Sequence, residues 1–304
     1  MKSTTRSRFQ RIVTSVPVVL VLAGIIGSTA WLRVETAGSN FLWKATRNRS
    51  SVYLLGSVHL LTKDFYPLNP ALEAAYKDAD LLVEEVDLGE TLGTDAQMNM
   101  LVTGMLPTGQ TLDKVISPAT LATVSKRLEA IGLPAEPLKR FKPWFLSLTL
   151  LGLEWQKAGF EAELGLDQHF YTLAKNEGKM VQGLETMAFQ ISRFDEMSMD
   201  EQERLLVETL KELDTQQAEV TKLANAWKAG DIATVERLVL QDLKSEPRLY
   251  QRLLVDRNRA WLPKIEALFG RRGRALVVVG AAHLIGSDGL LAMLRSRGYS
   301  IEQL

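Results

Sequence analysis

Residues 54–61 read LLGSVHLL and residues 278–285 read VVGAAHLI. Each has two aliphatic residues, a glycine, a small residue, a small or aliphatic residue, a histidine, a leucine and a final aliphatic. The chain holds only three histidines, and two of them occupy the same place in this repeat. A short aliphatic run that stops at a glycine reads as a buried strand of a mainly parallel sheet. Glycine lets the backbone change direction abruptly and lets another group approach closely. The imidazole three residues later, His59 or His283, then falls just beyond the strand's carboxyl end. Parallel strands bring all their carboxyl ends to one rim, where α/β folds place their ligands. If strands 52–56 and 275–280 are parallel and close, the two rings converge on one site.

Working outward, Leu81 to Val83 is a third fully apolar run, and Lys179 to Leu184 is a less apolar fourth candidate. Phe41 to Thr46, with a turn at 47–51, suggests a hairpin and so an antiparallel edge. Asn69-Pro70 is a cap followed by proline at the first helical position, starting a helix that ends near Asp78. Ser287 is placed to cap a helix over 289–297, with Gly298 as its stop and a last strand over 300–303. Helical periodicity covers 118–131, 137–155, 199–229 and 248–269. The class expected is α/β, with a central mainly parallel or mixed sheet, helices on both faces and a helical middle region capping the site.

The strand at 81–83 runs into Glu84-Glu85-Val86-Asp87, so it delivers a carboxylate to the same rim. Side chains alternate along a strand, so only one of Glu84 and Glu85 can face the histidines. Glu185, after the fourth strand, is another rim candidate. Two neutral imidazoles and a carboxylate form a nitrogen and oxygen set suited to manganese, iron, cobalt or zinc. Such an ion acidifies bound water and polarises a carbonyl, which suits hydrolysis. Ser57 lies two residues before His59 but lacks the GxSxG setting of an activated serine. Arg257 and Asn258, on an expected helix, are placed to offer a cation and an amide to a substrate carbonyl. Asp167 and His169 open another helix in GLDQHF, and His169, outside the repeat, reads as structural or solvent-facing.

Composition narrows the class. The 304 residues are 46% hydrophobic and 24% charged, an ordinary globular balance. There is no cysteine, which excludes disulfides, thiolate nucleophiles and cysteine-held zinc. The formal charge is zero, but residues 1–37 hold five basic residues against one acid, leaving 31 basic and 35 acidic residues in the remainder. A body of that sign is not a nucleic-acid binder, because phosphate contacts need clustered cations. Lys2, Arg6, Arg8 and Arg11 precede an uncharged run of 21 residues, 12–32. That pattern reads equally as a cleaved secretory signal, with Ser28 and Ala30 as a small-x-small site, or as a retained membrane anchor. Either reading divides the chain into 1–37 and an extracytoplasmic body over 38–304. Membrane contact then runs through 12–32 if the segment is kept.

LLGSVHLL, VEEVDL, GLD at 165–167, GLET at 183–186, DRN at 256–258 and VVGAAHLIGSDGLLAMLRSRGY together resemble the TraB/GumN family. That family is related to the TIKI metalloproteases and, more distantly, to ChaN-type haem-binding and erythromycin-esterase-like proteins. The resemblance runs from about Phe41 to Leu304. By position it puts the family's two histidines on His59 and His283 and its strand-end glutamate on Glu85, and it matches Asp167, Glu185 and Arg257 to further family positions. It implies, from the animal relatives, manganese- or cobalt-dependent peptidase activity, and with the amino-terminal pattern the leading expectation is an exported metal-dependent hydrolase, foremost a peptidase. In that reading His59, Glu85 and His283 hold the ion, Glu85 and Arg257 act at the reaction centre, and Ser57, Asp167, Glu185 and Asn258 line the substrate's place. The substrate would be a peptide or a small molecule. The alternative is a protein that holds haem or another small molecule at the same site without turnover.

Overall fold

In the computed structural model, residues 40–304 are described apart from 92, 214 and 215. Six strands form one sheet: β1 (Leu42–Arg47), β2 (Ser50–Ser57), β3 (Leu81–Val86), β4 (Met180–Glu185), β5 (Ala275–Gly280) and β6 (Ser300–Gln303). Their spatial order is β4-β3-β5-β2-β1-β6. The four strands β2, β5, β3 and β4 pair in parallel, while β1 is antiparallel to both β2 and β6. Every residue of β3 and β5 is buried, so both faces of the sheet centre are covered. That is what unbroken aliphatic runs require, since an exposed face would waste apolar area. The hairpin between β1 and β2 turns at Asn48, whose φ of 56° lies in the left-handed region that asparagine tolerates.

The longer helices are α1 (Pro70–Asp78), α2 (Thr94–Thr103), α3 (Pro118–Ala130), α4 (Pro143–Lys157), α5 (Leu166–Glu177), α6 (Met187–Asp195), α7 (Met199–Glu212), α8 (Gln216–Lys228), α9 (Ile232–Ser245), α10 (Asp256–Leu268) and α11 (Leu290–Ser296). The cap expected for α1 is present, with the Asn69 side chain accepting from the Ala71 amide. Three expectations are corrected. The periodic stretch 199–229 is two helices, α7 and α8, the first begun by a Ser198–Glu201 capping box. The stretch 137–155 is broken too: a single turn, Ala135–Leu138, precedes the main helix, which starts only at Pro143 because Lys142 before it is held extended. Ser287 does not cap α11; its hydroxyl bonds Asp288, and Gly289 stands at the N-cap.

The chain divides into two compact units. Residues 40–88, 159–186 and 218–304 hold the whole sheet, with α5 against β3, β4 and β5 and α10 against β4. Residues 89–158 and 187–217 form a helical unit in which α4 packs on α7. Its core includes Trp144, Phe145, Leu150, Trp155 and Leu206, and Trp144 Nε1 donates to Asp195. Among the described residues no helix is long and apolar enough to cross a membrane. The segment 12–32 lies outside them.

Candidate functional site at the carboxyl rim of the sheet

Register places the two repeats side by side: Gly56 pairs with Val279 and Ser57 with Gly280. The repeat is thus one residue out of step across the sheet, and the two copies leave it differently. After β2 the chain bends at His59 and reaches Leu61, which bridges Glu161, whereas after β5 it coils at once into the turn Ala281–Leu284. Trp227 on α8 closes over the first exit, its indole N–H donating to the Gly56 carbonyl at 2.6 Å.

His59 is held from α5. Its Nδ1 lies 2.8 Å from Asp167 Oδ2, while Asp167 Oδ1 accepts from the Ser57 hydroxyl at 3.0 Å. Gly165 makes this possible, because a Cβ there would stand 2.0 Å from the His59 carbonyl oxygen. GLD is therefore a glycine that lets the helix start approach the strand exit and an aspartate that grips the ring. Burial lowers the basicity of His59, but Asp167 more than offsets it, and the pKa rises to about 9.

His283 has the opposite character. Its Nδ1 faces Asn258 Oδ1 at 2.7 Å, and its Nε2 meets Arg257 Nη1 at 3.0 Å. A guanidinium can only donate, so Nε2 carries the lone pair and Nδ1 the hydrogen. The amide orientation agrees, since Asn258 Nδ2 donates to the carbonyls of His283 and Asp288. Burial, then Arg257, hold the pKa of this imidazole down to about 3, and it is neutral at any ordinary pH.

Of the two strand-end glutamates, Glu85 faces the histidines. Its Oε1 accepts from the Gly280 amide at 2.8 Å and lies 3.9 Å from His283 Nε2, and its Oε2 pairs with Arg257 Nη2. Burial works against its charge, yet Arg257 brings the pKa to about 2. Glu84 is 1% exposed and turned to the other face of β3, and neither carboxylate oxygen has a hydrogen-bond partner. Burial and then the nearby Asp167 and Asp87 charges raise its pKa well above the usual range.

Arg257, 2% exposed on α10, ties these groups together. Nε donates to Glu185, Nη1 to the Leu253 carbonyl and His283, and Nη2 reaches Glu85 and Glu185. Trp261, one turn further on, donates to Glu185 at 2.8 Å, and its ring lies 4.6 Å from the guanidinium and 4.4 Å from the neutral His283 ring. Burial raises the Glu185 pKa although Arg257 opposes it.

All eight expected residues thus meet in one cluster. Ser57, Asp167, Glu185 and Asn258 spend hydrogen bonds inside it, orienting His59, Arg257 and His283. His169 stays outside, against Glu73 and the rings of Tyr66 and Phe170. Sequence reasoning missed Trp261, whose signal was its place one turn after Arg257 (i+4). Gly280, the strand-end glycine expected to allow a close approach, is the floor of the site. A Cβ at Gly280 would stand 3.2 Å from Glu85 Oε1, 3.3 Å from His59 Nε2 and 3.7 Å from His283 Cδ2.

Among the described residues no three His, Asp or Glu side chains form a ready metal cage. The donor types nevertheless suit a divalent transition ion. His59 Nε2 and Glu85 Oε1 both face the space over Gly280, and His283 borders it by its ring edge while its lone pair is engaged by Arg257. The fit is by type and convergence, with the third donor occupied.

Comparison with known proteins adds the family. The chain is 29% identical over 272 residues to the uncharacterized protein YbaP of Shigella flexneri, covering 88% of this chain and 97% of that one. It is 28% identical over 271 residues to the uncharacterized protein YbaP of Escherichia coli (strain K12), with the same coverage. No solved structure matches. The pattern of one family extends over residues 41–303, spanning the sheet and every residue of the cluster, and the chain belongs to the TraB/PrgY/gumN family.

Proposed function

We propose that this protein is an exported metal-dependent hydrolase whose substrate is a peptide. The observation that carries the reading is the approach of His59 Nε2, Glu85 Oε1 and the His283 ring edge to one space over Gly280. His59, Glu85 and His283 would hold the ion, which when bound supplies Lewis acidity toward a scissile carbonyl. The chain's own residues prepare that place. Asp167 and Ser57 aim the His59 ring, Asn258 sets the His283 tautomer, and the Gly280 amide fixes Glu85 Oε1 toward the open space. Such orienting partners govern affinity nearly as much as the ligands do. Export rests on the basic and apolar pattern of residues 2–32.

A second reading has an observation of its own. The His59–Asp167 pair, with the ring protonated at neutral pH when no metal is present, is arranged to give a proton to a leaving group. Elemental analysis of the purified chain before and after chelation, paired with a peptide-library cleavage assay, separates the two. The metal reading expects bound metal that disappears in the His59→Ala, His283→Ala double variant, together with cleavage, while the fold is kept. Undiminished metal in that variant, or cleavage that survives chelation, defeats it. Chelator-resistant cleavage lost in Asp167→Asn would establish the second reading. An intense visible band on haem reconstitution, lost in His59→Ala and without turnover, would replace both with a haem-holding protein.

A further inference from the structure

Arg257 is not merely beside the site. Its guanidinium lies between Glu85 and His283 and engages the two groups that a metal would share. All of its N–H groups have acceptors: Glu185 at Nε, Leu253 and His283 at Nη1, Glu85 and Glu185 at Nη2. A buried carboxylate pair needs a compensating charge, and here it is covalently part of the chain. The same lone pair on His283 cannot serve a guanidinium and a metal together.

The backbone that carries Arg257 is irregular. The helix leading to Arg257 is not regular: Gln251–Val255 form a π-turn between the turn Pro247–Tyr250 and α10. A π-turn holds one more residue than the α-helical repeat and recurs at functional sites. The Leu253 carbonyl that receives Nη1 belongs to that turn. Pro263 further on removes another backbone donor from the same helix.

We propose that Arg257 is an internal cation that holds Glu85 and His283 in the metal-free protein and competes with the metal for them, so that loading requires the guanidinium to withdraw. The inference rests on the metal-dependent reading above and specifies how that site is regulated. In the arrangement described, an incoming ion would meet His59 Nε2 and Glu85 Oε1 at the space over Gly280 and gain His283 only in a minor state. A ligand that needs a minor state binds more weakly by the fraction of that state.

Titration of the full 304-residue chain with cobalt(II) alone tests this, read by calorimetry, the visible ligand-field spectrum and thermal unfolding. With the arginine-out state populated at about 10% or less, Arg257→Ala binds cobalt at least about tenfold more tightly than the unaltered chain. Its spectrum gains an imidazole ligand, cobalt raises its Tm more than that of the unaltered chain, and the gain vanishes when His283→Ala is added. Removing a buried cation strains the fold, so Glu185→Gln serves as a second variant. It keeps the guanidinium but loosens its anchor, and its affinity falls between the other two. If the unaltered chain binds cobalt stoichiometrically through His59 and neither variant binds it more tightly, competition by Arg257 is overturned and the metal reading stands. If neither the unaltered chain nor either variant binds cobalt in a manner sensitive to His59→Ala, the metal reading fails and this inference with it.

Discussion

The two repeat histidines occupy equivalent places in sequence and opposite electrostatic states in the fold. His59 faces a carboxylate and His283 a guanidinium, which is enough to move their pKa values in opposite directions. In chelator-treated protein, imidazole NMR should show His59 titrating near pH 9, with His283 neutral down to about pH 3. Asp167→Asn should bring the His59 transition down from 9, because burial then loses its main opponent and only Glu85 still acts to raise it. A His59 transition that stays near 9 in that variant would remove Asp167 as its partner. The same substitution should weaken metal binding by about 10–100-fold if His59 is a ligand. At Gly280 the prediction is steric. Gly280→Ala puts a methyl 3.2–3.3 Å from Glu85 Oε1 and His59 Nε2, so both must shift by a few tenths of an ångström. The variant should fold, with Tm lowered by only a few degrees, while activity falls on the order of 100-fold, since small displacements at a reacting centre are costly. Unchanged turnover would show that the space over Gly280 is not the reaction centre.

At the scale of elements, much could be read from the chain itself. The aliphatic runs at 52–55, 81–83 and 275–279 are strands because both faces of each are buried, and unbroken aliphatic sequence has no other economical use. Alternation limited the rim carboxylate to Glu84 or Glu85, and Glu85 proved to be the one beside the histidines. What escaped was punctuation. No proline or glycine marks the division of 199–229 into two helices, and α7 and α8 are each amphipathic, so their apolar positions read in sequence as one stripe. The π-turn at 251–255 was equally silent, since a one-residue change of helical pitch barely disturbs an apolar pattern. Gly165 supplies a test at this scale. A methyl there would collide with the His59 carbonyl, so Gly165→Ala must push the start of α5 away from the strand exit. Expected is a loss of about 1–3 kcal/mol in denaturant unfolding, the usual size of overpacking, together with loss of the His59–Asp167 bond. Unchanged stability and an unchanged His59 titration would contradict the close approach.

For the whole molecule, alkaline stability follows from buried phenols. Burial raises the Tyr53 pKa to about 12, helped by its bond to Asp78, and burial also raises Tyr66 to about 12, helped by Glu73. An unfolded tyrosine ionises near 10. The folded state therefore binds these protons more tightly, and the tyrosines' contribution to stability is full below pH 10 and is lost as pH rises toward 12. Urea midpoints measured between pH 9 and 12 should decline, and less steeply in Tyr53→Phe. An identical slope in that variant would assign the alkaline loss to other groups. The division into two units was not visible in advance either. The helical unit is assembled from 89–158 and 187–217, two pieces separated by α5 and β4, and no linker-like composition marks where the chain passes between units.

The amino-acid sequence alone determined that there would be a largely parallel sheet, that a histidine would follow each of two central strands, and that an acid would meet them. Those features follow from burial periodicity and from chain direction, which are local. Only the tertiary structure decided what each group is bonded to. Arg257 and Glu85 are 172 positions apart, and their pairing depends on β3 lying beside β4, against which α10 packs. No periodicity encodes such a neighbour. Because electrostatic character is set by neighbours, two like octapeptides became one cationic imidazole and one neutral imidazole.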